Sequence, residues 1–159
     1  MKIIELLPLN YIHFMDANSF RGDFWSARKI ENSYLISIKE KSSLKDALTD
    51  FIISQKITTG KIVGVGSIKD VLLRFKNPGT KKHFNVKFNA KNMTANISGS
   101  VCNIDESPIL ELNVTFDEEH YAMAGDLLDA KILNKGEFFL HPLNTQIIYF
   151  NNDNDRFLS

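Results

Sequence analysis

Between Leu44 and Ile52 the apolar residues Leu44, Ala47, Leu48, Phe51 and Ile52 recur at i, i+3, i+4, i+7 and i+8. That spacing lays them along one face of an α-helix. Ser43 stands directly before this run and Asp46 three positions on. The hydroxyl is expected to accept from an orphan amide of the first turn, and the acid to suit the positive helix end. The helix is predicted to fade near Lys56, with Gly60 punctuating the turn that follows.

Elsewhere the period is two. Phe84, Val86 and Phe88 alternate with Asn85, Lys87 and Asn89, the pattern of a strand buried on one face. Tyr34–Ile38, the Val- and Ile-rich run Lys61–Ser67 and the run Val71–Phe75 read as further strands, with Asn77-Pro78-Gly79 as a turn. Met93–Ile104 is extended, with Gly99 marking a bulge or close approach. Ile109, Leu110, Leu112, Val114 and Phe116 predict a central strand. Tyr121–Leu133 reads as mixed, a turn at Gly125 and then a strand through Ile132, and Gln146–Phe150 closes the β content. One helix and about seven strands, with no βαβα rhythm, predict an α+β fold: a mostly antiparallel seven-stranded sheet with one main helix packed on it.

The ends differ in character. Residues 1–33 carry Tyr11, Phe14, Phe20, Phe24 and Trp25 without a sustained period. They are expected to form an arm packed on the domain or on a neighbouring subunit. Residues 34–150 are expected to form the domain, and 151–159, beginning Asn151-Asn152-Asp153, a polar tail that frays.

Composition narrows the function classes. With 159 residues, one domain is expected, large enough to bury roughly 70% of its unfolded surface. A single cysteine, Cys102, excludes an internal disulfide framework and reads as a reduced, buried small hydrophobe. Nothing resembles a cleavable leader, and no apolar run is long enough to span a bilayer, so a cytoplasmic protein without membrane contact is expected. The sequons at Asn92, Asn96 and Asn113 then read as chance matches.

The formal net charge is zero, which argues against nucleic acid as a partner. Zero is nevertheless a sum of unlike halves. Residues 1–80 carry 12 basic and 8 acidic side chains; residues 81–159 carry 7 basic and 11 acidic. Between Asn92 and Ala130 there is no Lys or Arg at all, while Asp105, Glu106, Glu111, Asp117, Glu118, Glu119, Asp126 and Asp129 all lie there. Such an interval repels phosphate and can attract cations.

Candidate chemistry is sparse. Gly64-Val65-Gly66-Ser67 lacks the third glycine, the lysine and the following helix of a phosphate loop, so close packing within a strand is expected instead. His13, His83, His120 and His141 show no metal-ligand spacing. Lys81-Lys82-His83 beside Phe84 is an ordinary basic turn. Glu111 and Asn113 are more informative. Two apart on a strand, they share one face, opposite Leu110, Leu112 and Val114. The plainer reading is a solvent-facing strand side. The functional reading is a polar cleft to which Asp126 contributes.

From Tyr34 to Phe150 the order of segments resembles the PPC family, the plant and prokaryote conserved domain. After the strand and helix, Gly60–Ser67 looks like the family's "iGs" strand and Ile97-Ser98-Gly99-Ser100 like its "lsGni" segment. Pro108–Val114 looks like its "LHLHV" strand. Ala124–Leu128 stands where the family has "GGHL", and Gln146–Ile148 where it has "tvEv". In many bacterial members the histidines of these motifs converge on a metal; here Glu111, Asn113 and Asp126 occupy those positions. The resemblance therefore implies an atypical member that has lost the zinc site, with no cofactor. A hard divalent cation on the three oxygen-bearing side chains is the alternative. It also implies a homotrimer with sites near subunit boundaries. The plant relatives' Arg-Gly-Arg-Pro hook is missing, since Arg21-Gly22 continues to Asp23-Phe24.

Three function classes follow. The first is a trimeric, non-enzymatic module that binds a small ligand or a protein through Glu111, Asn113 and Asp126. The second is an enzyme using Glu111 or Asp126 as acid or base in a polar cleft, with or without a divalent cation. The third is a DNA-associated protein, as the family label suggests.

Overall fold

The computed structural model describes residues 18–89, 93–105, 107–118 and 121–143. The readings that fall on the first 17 residues, on Gln146–Phe150 and on the polar tail lie outside the described residues, as do Glu106, Glu119 and His120. In chain order the elements are β1 (Ser19–Arg21), β2 (Trp25–Ile30), β3 (Ser33–Ile38), α1 (Leu44–Ser54), β4 (Thr59–Lys76), β5 (His83–Phe88), β6 (Met93–Ile104), β7 (Ser107–Glu118) and β8 (Tyr121–Pro142). One antiparallel sheet joins all eight described strands in the order β1-β2-β3-β8-β7-β6-β4-β5, with a further pairing of β8 to β4.

The helix forms as its apolar period predicts. Leu44, Ala47, Leu48, Phe51 and Ile52 are all buried, and Ser43 Oγ accepts from the Asp46 amide at 3.1 Å. The cap has a partner that the local sequence does not announce. The Asp129 carboxylate of β8 accepts from Ser43 Oγ at 2.8 Å, from the Lys45 amide at 3.1 Å and from its own neighbour Ala130 at 2.8 Å. Ile132 adds backbone bonds to Lys41 and Ser42, so the helix entry is fastened to β8. At the other end the Lys56 and Ile57 amides bond to the Ile53 and Ile52 carbonyls, a Schellman closure with Lys56 at φ 54°. The helix therefore stops sharply at Ser54 instead of fading.

Three sequence expectations change. The runs at Lys61–Ser67 and Val71–Phe75 are one strand, β4, whose partnership with β8 shifts register between Gly66 and Ile68 and again around Lys69–Leu73. Asp70, at φ 50°, takes up that irregularity; a short polar side chain tolerates the left-handed region better than most. The turn expected at Gly125 is absent, because Gly125 lies inside the continuous strand β8, opposite Val114. Finally, residues 19–30, which show no period, are the strands β1 and β2, in register with β3. Only Trp25 and Ala27 of β2 are buried, and the exposed Arg28-Lys29-Ile30 hides the alternation.

The core lies between α1 and the inner face of the sheet. Trp25 packs edge-on to Phe51, with centroids 4.8 Å apart, and its indole N–H donates to Asp50 at 2.8 Å. Phe138, Ile62, Ile97, Leu140 and Ile132 continue that core along β4, β6 and β8. Cys102 is buried, as expected for a small hydrophobe. A Cβ on Gly64 would overlap the Phe138 ring and the Glu137 carbonyl, so this glycine is required by the close approach of β4 to β8.

Removing the Asp129 acceptor leaves the Ser43 hydroxyl and the Lys45 amide without their partner at the helix entry. D129A is expected to destabilise by about 2 kcal/mol, a fall of roughly 4–8 °C in melting temperature for a chain of this size. Thermal unfolding followed by circular dichroism measures it, and an unchanged midpoint would contradict the role assigned to Asp129.

Candidate functional site

Strand geometry decides which side chains share the outer face. On β7, Leu112, Val114 and Phe116 point into the core, which leaves Glu111, Asn113 and Thr115 exposed. Register then adds their neighbours. Asn113 lies directly opposite Asp126 of β8 and, on its other side, opposite Ser98 of β6. Glu111 lies opposite Ser100. The three residues singled out in the sequence thus stand on one outward face.

The same register brings a fourth residue that sequence reasoning missed. Arg74 of β4 is the cross-strand partner of Asp126, with the guanidinium 3.6 Å from the carboxylate. The side chains are 42% and 55% exposed, so this ion pair is solvent-screened and modest in energy. At 3.6 Å it is also too long for a hydrogen bond. No local signal marks Arg74: Leu72-Leu73-Arg74-Phe75 reads as a strand with one outward cation.

These side chains line a cavity of about 380 Å³, together with Lys45 from the first turn of α1 and an apolar wall that includes Ile109, Leu110 and Leu128. A second hollow of about 290 Å³ shares Glu111 and Asn113 and extends past Ser98 and Ser100 to Lys61. The polar strip is therefore continuous across β8, β7, β6 and β4. Beyond Ser98 the face turns apolar. Val63 is opposite both Ser98 and Phe139, and Val65 follows on the same side of β4. Val63, Val65 and Phe139 are 49%, 45% and 42% exposed, which is unusual for three large apolar neighbours on one sheet face.

The donor set does not suit zinc. It offers two carboxylates and an amide with no imidazole or thiolate, and one of the carboxylates already faces a guanidinium. Arg74 raises the same objection to a hard cation, since a fixed positive charge stands beside one of the oxygen donors. Among the described residues, no group of three or more His, Cys, Asp or Glu side chains is placed to hold a metal.

A hydroxyl–imidazole contact does occur on this face, Ser33 Oγ to His141 Nδ1 at 2.6 Å. The ring stacks on Phe139 instead of meeting an acid, and the pair lines neither hollow, so it lacks the third group and the cavity of a nucleophilic site.

Comparison with known proteins identifies the family and the fold. Residues 26–144 match the sequence profile of the Plants and Prokaryotes Conserved (PCC) domain. A presumed DNA-binding protein from Bacteroides thetaiotaomicron is similar in structure, with 32% identity, a TM-score of 0.75, and 82% of this chain and 92% of that one covered. A metal-containing protein from Archaeoglobus fulgidus shares the fold at 16% identity and a TM-score of 0.66, over 80% of this chain and 87% of the other. So does a plant- and prokaryote-conserved protein from Pyrococcus horikoshii, at 18% identity and 0.64, over 80% and 88%. No curated protein matches.

If Glu111, Asn113 and Asp126 occupy the positions that the family resemblance implies for metal-binding histidines, the triple variant E111H/N113H/D126H should gain zinc affinity. The gain should be larger by about tenfold or more when R74A also removes the guanidinium. Isothermal titration with zinc compares the two, and an absence of binding in both would show that the positions do not correspond.

Proposed function

The chain belongs to the Plants and Prokaryotes Conserved (PCC) domain family, and from that premise we propose that it is a cytoplasmic, homotrimeric binding module whose ligand site is the cleft at Glu111, Asn113 and Asp126. The observation that carries the reading is the continuity of the outer sheet face. A mixed-charge cavity at one end runs without a break into the uncovered Val63, Val65 and Phe139 at the other. An apolar strip of this kind supports burial against a second copy, and a cleft beside it supports a ligand site near the subunit boundary. The cleft contains general acid–base candidates in Glu111 and Asp126. It contains no hydroxyl–imidazole pair and no metal-ligand cluster among the described residues, which favours binding over catalysis. No helix among the described residues is long and apolar enough to cross a membrane.

One feature favours DNA association as a second reading, beside the likeness to the Bacteroides protein. From Val71 to Ile104 the sequence has no acidic residue, and the β4–β5 hairpin carries Arg74, Lys76, Lys81, Lys82 and Lys87. Exposed Phe84 stands near its tip. Binding of a duplex through that hairpin would weaken steeply with salt, because phosphate contacts release counterions. Titration at about 50 and 200 mM salt is expected to show a fall of tenfold or more if DNA is a partner. Absent binding at low salt removes this reading.

The assembly is tested directly. Light scattering on the purified chain is expected to give three times the monomer mass, and V65D, which sets a charge in the apolar strip, is expected to yield monomers that remain folded by circular dichroism. A wild-type monomer at micromolar concentration would overturn the trimer.

A further inference from the structure

We propose that Arg74 is the built-in cation of this cleft, and that the cleft takes a small zwitterion, an α-amino acid with an apolar side chain. The inference deepens the ligand-binding reading above and rests on it. Its starting point is the balance of charges around the cavity. Lys45 and Arg74 supply two positive groups, and Glu111 and Asp126 two negative ones. A dianion would be repelled by the carboxylates and a divalent cation by the guanidinium. A ligand carrying one charge of each sign meets a partner for both.

The hydrogen-bonding state of the groups sharpens this. The Arg74 side chain makes no hydrogen bond among the described residues; its Nε is buried without a partner, while the side chain as a whole is 42% exposed and lines the cavity. The terminal nitrogens of this partly exposed guanidinium are the donors a ligand can reach, and they too lack a hydrogen-bond acceptor among the described residues. The Asp126 carboxylate supplies Coulomb attraction at 3.6 Å but does not satisfy the guanidinium. A ligand carboxylate would, since the planar fork of arginine matches two carboxylate oxygens. Lys45, also on the cavity wall, forms no ion pair among the described residues and offers a second positive charge to the same anion.

Glu111 is exposed and forms no ion pair among the described residues; it lies on β7 two residues from Asn113, away from Arg74's direct partner Asp126. Its carboxylate is the natural acceptor for a ligand ammonium. Between these poles the wall is apolar, with Ile109 47% exposed and Leu128 half-buried. The volume of about 380 Å³ sits near the small end of ligand cavities, suited to a single amino acid.

The test uses the full-length chain and the common α-amino acids, each titrated calorimetrically, beside a panel of simple carboxylates, phosphate and amines. The expected result is binding by one or more apolar amino acids. For leucine as the probe, 4-methylpentanoate (no ammonium) and 3-methylbutylamine (no carboxylate) should each bind at least tenfold more weakly. R74Q is expected to weaken amino-acid binding at least tenfold and R74K by less, while E111Q weakens leucine without weakening 4-methylpentanoate. Circular dichroism and melting temperature identify any variant that fails to fold, and the ligand analogues on the unaltered protein keep the proposal falsifiable in that event. If a simple anion or amine binds and no amino acid does, the zwitterion proposal is overturned and the ligand-binding reading stands. If amino acids bind equally well to R74Q, the role of Arg74 is overturned. If nothing in either panel binds, both the proposal and its premise fail.

Discussion

The antiparallel ladder between β4 and β8 is the constraint on which the rest of the structure depends. Each strand is long enough to have different neighbours on its two halves. β4 is flanked by β6 near its start and β5 near its end, and β8 by β7 and then β3. Because β4 and β8 also pair with each other, the path β4-β6-β7-β8 returns on itself. That closure holds β7 beside β8 and so sets Asn113 opposite Asp126. The close approach is possible where Gly64 leaves room for Phe138. The helix is tied to the same ladder, because Asp129 caps α1 from β8.

The ladder's irregularities matter as much as its length. In the upper part Gly60 pairs with Pro142. Continued unbroken, that register would set Arg74 opposite Leu128. The shift between Gly66 and Ile68 sets it opposite Asp126 instead, and the irregularity around Lys69–Leu73 returns to that same register. A displacement of two residues preserves which face each side chain occupies, so the core stays apolar while the outer face changes its neighbours. The positive φ at Asp70 accompanies the second irregularity, after which the register is the same as before it. A feature that reads in the sequence as a weak spot between two strands is thus what makes the ion pair of the cleft.

This explains what was legible beforehand. The helix, β5 and β6 announce themselves because their periods are local, Leu44–Ile52 at 3.6 and Phe84–Phe88 at 2. The face expected to be buried in β5 is not, because β5 is an edge strand: Phe84 is 48% exposed and Val86 and Phe88 are only half-buried. Glu111 and Asn113 share a face for the same local reason. Asp126 entered as an acid of the cation-free interval that could join the cleft, and the family resemblance singled it out again; the register sets it opposite Asn113. Arg74 was not legible, since its place depends on pairing with a residue far along the chain through a shifted register. The continuity of β8 was hidden by Gly125, which reads as a turn residue in isolation but sits opposite Val114 inside a ladder. Trp25 and Ala27 gave too short an alternation to reveal β2.

The charge distribution gains a spatial meaning from the same geometry. The interval from Asn92 to Ala130 has no cation of its own, and β4 brings one to it. A metal and a guanidinium are not equivalent at such a place. A bound metal polarises an oxygen and can lower the pKa of a bound water, which suits chemistry on a substrate. A guanidinium stays protonated, offers a planar set of donors and activates no water, which suits recognition of a carboxylate. On the reading proposed for this chain, exchanging imidazoles for Glu111, Asn113 and Asp126 while Arg74 faces the last of them changes the kind of site, from one that could hold a Lewis acid to one that sorts small molecules by the placement of their charges.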